Sequence, residues 1–237
     1  MSKLTSIQEE LADMLLTTKI EAKVIRRLQK DDGSYYLEIT KRPTSPIAFA
    51  QNKGEYALKA HETEPSLPLS PIYVNLRNLP ENLLQKIARV LGEIKLESKQ
   101  EYCTGIPKAA VVIAEAFSKA SEIPFLDVFD KIGLDTNRKI VIKEGIQPKP
   151  DTNLLIIDDV VAHGKSKLEA LEAAKSVGFF VNMLVLIDRQ QGGVEQIEKE
   201  GCRVYAAMKL TDILDYYNEK NMITKDQYEK SISYLTS

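Results

Sequence analysis

The chain has 237 residues, 43% of them hydrophobic and 28% charged, with a formal net charge of −2 and a pI near 5.9. That length accommodates one α/β domain with a sizeable core and a small appendage, and the charge balance offers no basic face for nucleic acid. No apolar run reaches membrane-spanning length, Met1-Ser2-Lys3-Leu4 lacks a signal-peptide core, and Cys103 and Cys202 stand too far apart to suggest a disulfide framework, so a cytoplasmic protein is expected.

Taken in chain order, Ile7, Leu11, Leu15, Ile20, Val24 and Leu28 form an apolar stripe that predicts one or two helices over residues 5–28. Asp31-Asp32-Gly33 marks a turn and Tyr35-Tyr36-Leu37-Glu38-Ile39 a strand. Prolines at 43, 46, 65, 68 and 71 break the following stretch into short extended pieces and loops. Leu83, Leu84, Ile87, Val90, Leu91 and Ile94 predict a helix over 81–96. A helix over 107–120 follows, and then the βα alternation of a parallel sheet. Strands are expected at 124–128, 139–143, 154–157, 181–187 and 203–207, with helices at 166–177, 193–200, 210–219 and 225–235. The fold class is therefore α/β, a parallel β-sheet flanked by helices. Residues 1–80 are expected to form an N-terminal helical segment and small hood, and residues 81–237 the α/β core.

One segment carries most of the functional information. Leu154-Leu155-Ile156-Ile157 reads as a strand buried on both faces, and Asp158-Asp159 ends it. Val160-Val161-Ala162-His163-Gly164-Lys165-Ser166 is a short turn leading into a helix, with Ser166 and Glu169 at capping-box spacing. Carboxylates at the carboxyl end of such a strand lie where open α/β sheets bind ligands. Free N–H groups and the dipole at the helix start favour an anion, most often phosphate. Paired acids suit ribose hydroxyls or a hydrated magnesium ion. Gly164-Lys165-Ser166 is not the end of a Walker A loop, because Asp159 stands where that motif needs its first glycine.

An apolar strand, two acids and a short loop ending Gly-x-Ser resemble the phosphoribosyl-diphosphate (PRPP) signature of type I phosphoribosyltransferases. Three further segments, in the same order as in that family, resemble the orotate phosphoribosyltransferase branch. Tyr56-Ala57-Leu58-Lys59 with Ser70-Pro71-Ile72-Tyr73 is one, Thr104-Gly105-Ile106-Pro107-Lys108 another, and Val185-Leu186-Ile187-Asp188-Arg189-Gln190-Gln191-Gly192-Gly193 the most specific. The resemblance covers roughly Tyr56 to Tyr217.

It implies magnesium-dependent transfer of phosphoribose from PRPP to orotate, giving orotidine 5'-monophosphate and pyrophosphate in pyrimidine synthesis, by a homodimer. It assigns Asp158 and Asp159 to the ribose hydroxyls and, through water, to magnesium. Val160, Val161, Ala162, His163, Gly164, Lys165 and Ser166 would cradle the 5-phosphate. Thr104 and Gly105 would belong to the pyrophosphate loop, and Lys59 would contact PRPP. Tyr73 and Arg189 would form the base site. Lys131 would be the catalytic-loop lysine. Plainer alternatives remain: a strand-to-helix turn at Gly105, a surface lysine at 59, a strand-end ion pair at Arg189. The chain also departs from the family pattern. Ala162-His163 replaces two threonines, Asp130 replaces the arginine before Lys131, and the loop that follows has no histidine. A weakened regulatory relative that binds PRPP or a nucleotide, or a transferase for another base, are the rival readings.

Overall fold

A computed structural model describes residues 3–57, 67–133, 138–149 and 151–236. In chain order the elements are α1 (Ser6–Thr17), β1 (Ile20–Gln29), β2 (Tyr35–Thr44), β3 (Ile47–Phe49), β4 (Ile72–Val74), α2 (Glu81–Gly92), β5 (Tyr102–Gly105), α3 (Val111–Ser121), β6 (Phe129–Ile132), β7 (Lys139–Ile142), β8 (Asn153–Val161), α4 (Lys165–Ser176), β9 (Phe180–Asp188), α5 (Gly193–Lys199), β10 (Arg203–Lys209), α6 (Leu210–Glu219) and α7 (Lys225–Thr236). The chain divides into two compact units, Met1–Pro80 with Thr211–Ser237, and Glu81–Leu210.

The second unit is built on a parallel sheet of order β10-β9-β8-β5. Leu154, Leu155, Ile156 and Ile157 on β8 are fully buried, as are Met183 to Ile187 on β9. Both faces of these central strands are covered, which is why they read as unbroken apolar runs. Helix α2 presents Leu83, Ile87, Val90 and Leu91, and α3 presents Ile113, Ala114 and Phe117, to the interior. On α4 the buried positions are Lys167, Ala170, Leu171 and Ala174. They recur at the spacing of one helical face, and one of them is a lysine.

The strands flanking this sheet differ from expectation. Tyr102–Gly105 is a strand in register with Leu154–Ile157 that four residues were too few to announce. Residues 124–128 contribute only a bridge from Phe125 to Cys103. Chain direction then reverses: β6 and β7 form an antiparallel pair, Phe129 opposite Ile142 and Lys131 opposite Ile140. Lys139–Ile142 thus belongs to a hairpin outside the parallel sheet. Its base is tied to the core through buried Val128, Phe129 and Ile140.

In the first unit the predicted helix stops at Thr17, and Ile20–Gln29 is a strand. Ile20, Val24 and Leu28 lie four apart, a spacing that fits a helical face and also the even positions of a strand. Burial alternates at Ile20, Ala22 and Val24, and the paired partner β2 decides the matter. Pro43 lies within β2, opposite Glu21; β2 pairs only with β1 among the described strands, and such an edge strand is where a proline is tolerated. The Asp31-Asp32-Gly33 turn forms, with the Asp32 carboxylate accepting Ser34 N–H at 2.9 Å. Strands β3 and β4 begin after twin Ser-Pro dipeptides and pair antiparallel: Asn75 N–H donates to Pro46 O and Ala50 N–H to Pro71 O. Residues 211–237, expected with the α/β core, join the first unit. Tyr217 OH donates to Ala12 O at 2.6 Å and Tyr216 OH to the Asp13 carboxylate at 2.9 Å, which ties α6 to α1.

Candidate active site

Strand β8 does not end at Ile157. It runs through both aspartates to Val161, with Asp158 opposite Val185 and Val160 opposite Ile187 on β9. Successive side chains on a strand point to opposite faces, so the two acids part company. Asp158 is turned inward and 4% exposed, whereas Asp159 is half-buried. Asp158 Oδ2 lies 2.6 Å from Lys167 Nζ, and Lys167 itself is 8% exposed. Asp158 Oδ1 accepts Asp159 N–H at 3.0 Å. Asp159 Oδ1 accepts Val160 N–H at 2.7 Å, and Asp159 Oδ2 has no hydrogen-bond partner among the described residues. Burial pushes the Asp158 carboxyl up to about 7; the Lys167 ammonium opposes this and the Asp159 carboxylate adds to it.

The turn after β8 is a helix entrance built on Gly164, whose φ of +76° is open to glycine. The Gly164 carbonyl accepts both Lys167 N–H and Leu168 N–H at 2.9 Å. Ser166 is therefore inside the first turn of α4, and its capping box with Glu169 does not form; no side chain caps this helix start. The first N–H groups of a helix have no intrahelical acceptor, so this entrance keeps donors for an anion. His163 and Lys165 are exposed beside it and Ala162 is half-buried.

Two other strands end beside β8 at the carboxyl edge of the sheet. Strand β5 ends at Gly105, opposite Ile157, and Ile106 N–H donates to Ile157 O at 3.2 Å. Thr104 is 1% exposed, opposite Ile156, and so lies within the sheet layer. A Cβ on Gly105 would lie 2.5 Å from Ala110 O, so this glycine serves the fold of its own turn into α3. At the end of β9, Arg189 N–H donates to Val161 O at 2.9 Å. The Asp188 carboxylate accepts Gln190 N–H at 2.7 Å, so this strand-end acid is used in the turn. Gly193 rests on the loop between β8 and α4: a Cβ there would lie 2.3 Å from Ala162 O, and one on Gly164 would lie 3.2 Å from Gly193 O. Gly193 and Arg189, far from the loop 160–166 in sequence, brace it through Ala162 and Val161.

No protein-family model matches the chain. An orotate phosphoribosyltransferase from Pyrobaculum islandicum is 30% identical over 171 residues, covering 70% of this chain and 86% of that protein. The chain belongs to the orotate phosphoribosyltransferase family. Uridine 5'-monophosphate synthase from Bos taurus is 30% identical over 68% of this chain, which spans only 34% of that longer protein. Among solved structures, UMP synthase from Leishmania donovani matches 97% of this chain with a TM-score of 0.68 at 25% identity, again across less than half, 42%, of the longer chain.

The family's other motif positions fall as follows. Tyr73, on β4, stacks on Tyr56 with ring centroids 4.8 Å apart and planes 6° off parallel. Its neighbourhood is a cavity of about 400 Å³ lined also by Glu21, Lys23, Lys41, Asn75 and Arg77, all within the first unit. Arg189 is half-buried in the second unit. Lys59 lies outside the described residues, as does the 134–137 stretch of the catalytic-loop segment. Lys131 is half-buried on β6, its N–H held by the Asp130 carboxylate at 2.9 Å, and it makes no ion pair with Asp158 or Asp159 among the described residues. Lys167 is the site residue that motif reasoning missed. Its signal was present: it stands four and seven residues before Leu171 and Ala174, on the apolar face of α4.

The donor set suits a metal that arrives with its substrate. Among the described residues no three or more His, Cys, Asp or Glu side chains converge. Magnesium keeps several waters and commonly takes one or two carboxylates plus substrate phosphates; the open oxygen of Asp159 fits that role.

Proposed function

We propose that the chain transfers the phosphoribosyl group of PRPP to orotate, giving orotidine 5'-monophosphate and pyrophosphate in de novo pyrimidine synthesis, with magnesium, as a cytoplasmic homodimer. The observation that carries this reading is the meeting of three family loops around the β8 acids, with an open helix entrance beside an open carboxylate oxygen. In the reaction, N1 of orotate bonds to C1 of the ribose as the bond from C1 to the diphosphate oxygen breaks; the electron pair leaves with pyrophosphate, and the N1 proton passes to the departing pyrophosphate or to solvent. Positive charge grows on the ribose and negative charge on the leaving group, so the protein's task is placement and charge.

Within this reading the carboxyl end of β8 receives the ribose hydroxyls, and the α4 entrance, with Ser166 and the exposed His163 and Lys165, receives the 5-phosphate. Asp159 would hold magnesium through water, and the bound ion would supply positive charge to offset the negative charge of the departing pyrophosphate. The Arg189 guanidinium suits the orotate carboxylate in a planar two-point contact. A second reading, a PRPP-binding regulatory relative without turnover, is favoured by Asp130, an exposed acid one residue before Lys131.

Pyrophosphate release from PRPP and magnesium, measured in parallel with orotate, uracil and adenine, tests the assignment. Release with orotate alone is expected. Release with another base alone would overturn the base, and PRPP binding without release under any condition would install the second reading.

A further inference from the structure

We infer that Lys167 is a positioning residue that divides the acid pair, holding Asp158 as internal structure and leaving Asp159 as the carboxylate that meets the ribose. The inference rests on the phosphoribosyl-transfer reading above and goes beyond it, because the family motif treats the two acids alike. Both Asp158 oxygens are engaged, Oδ2 by the Lys167 ammonium at 2.6 Å and Oδ1 by Asp159 N–H at 3.0 Å. Asp159 has one oxygen on Val160 N–H and the other open among the described residues. Lys167 and Asp158 are both almost wholly buried, so neither tolerates losing the other. Asp158 Oδ1 grips the Asp159 backbone, and so fixes where the Asp159 side chain starts. Lys167 sits on α4, the helix whose entrance offers the phosphate donors, and the ion pair therefore sets the distance between that entrance and the acids.

The test compares Lys167→Met, Lys167→Arg and the neutral pair Lys167→Met/Asp158→Asn with the wild type. PRPP affinity is read by calorimetry and the two KM values by turnover, with a thermal melt for each protein. Lys167→Met is expected to weaken PRPP binding about tenfold or more while the orotate KM stays within about twofold, and Lys167→Arg to recover most of the loss. If Lys167→Met does not fold, the neutral pair decides, because it removes both buried charges together. It is expected to bind PRPP within about tenfold of wild type, since Asp159 remains. Loss of PRPP binding by the folded neutral pair would place Asp158 on the ribose and overturn the division, as would a Lys167→Met protein with unaltered PRPP affinity. The calorimetric arm needs no base, so wild type that binds PRPP without using orotate would end the orotate assignment and leave the Lys167 test standing. Wild type that does not bind PRPP would end both.

Discussion

The two adjacent aspartates are chemically identical, and the strand makes them different. Asp159→Asn removes an acceptor at the open side of the pair; PRPP affinity is expected to fall about 10- to 100-fold with the melting temperature little changed. Asp158→Asn leaves the buried Lys167 ammonium without its counter-charge, and about 3 kcal/mol of stability is expected to go with it, read by denaturant unfolding. Arg189→Ala is expected to raise the orotate KM about tenfold or more through loss of a charge-assisted contact. In the first unit, Glu55 is a second charge under cover. Its carboxylate takes Arg42 Nη2 at 2.8 Å, Gln51 N–H at 2.8 Å and Asn52 Nδ2 at 2.8 Å. Burial pushes this carboxyl up, but the hydrogen bonds and the Arg42 charge outweigh it, and the net shift is below its ordinary 4.5. A depressed acid contributes stability above its ordinary value and loses it as pH falls through the lower, folded one. Glu55→Gln should therefore lower the melting temperature at neutral pH, and that gap should close on acidification below about 4.5. The acids at 158 and 159 were legible in the sequence because an apolar run announces the strand that carries them. Lys167 was not, because lysine is the residue most expected at the surface.

At the level of elements, glycines join what sequence separates. Gly193 on α5 touches the Ala162 carbonyl, and Arg189 N–H holds Val161 O, so β9 and its following turn brace the loop between β8 and α4. Gly193→Ala must displace Ala162 or move α5; PRPP affinity is expected to drop about tenfold or more while Arg189 still meets orotate, a split visible in separate KM measurements. The motif Asp-Arg-x-x-Gly-Gly marked this segment as a candidate for the site, but a motif does not say whether its glycines face ligand or backbone. Here Gly193 faces backbone. The parallel strands at 154–157, 181–187 and 203–207 were read from their apolar runs. Strand β1 was not, since Ile20, Val24 and Leu28 satisfy both periods, and the pairing with β2 that settles it is non-local. The reversal at β6 was equally hidden, because direction belongs to pairing and not to composition.

At the scale of the molecule, the α/β class followed from the alternation of elements, but the membership of residues 211–237 did not. Tyr216 and Tyr217 donate their hydrogen bonds to α1, two hundred residues upstream, and no local pattern carries that information. Among the described residues no helix is long and apolar enough to cross a membrane. The central claim is that the acid-ended strand β8 and its helix entrance form the PRPP site of an orotate-using transferase. The most direct test is the ultraviolet absorbance of orotate with PRPP and magnesium, followed for wild type and Asp159→Asn at equal protein concentration. Loss of the orotate signal only when PRPP and magnesium are both present, and much faster with wild type than with Asp159→Asn at sub-saturating PRPP, is the expected result. Equal rates from the two proteins would contradict the site, and an unchanged signal from wild type would contradict the function.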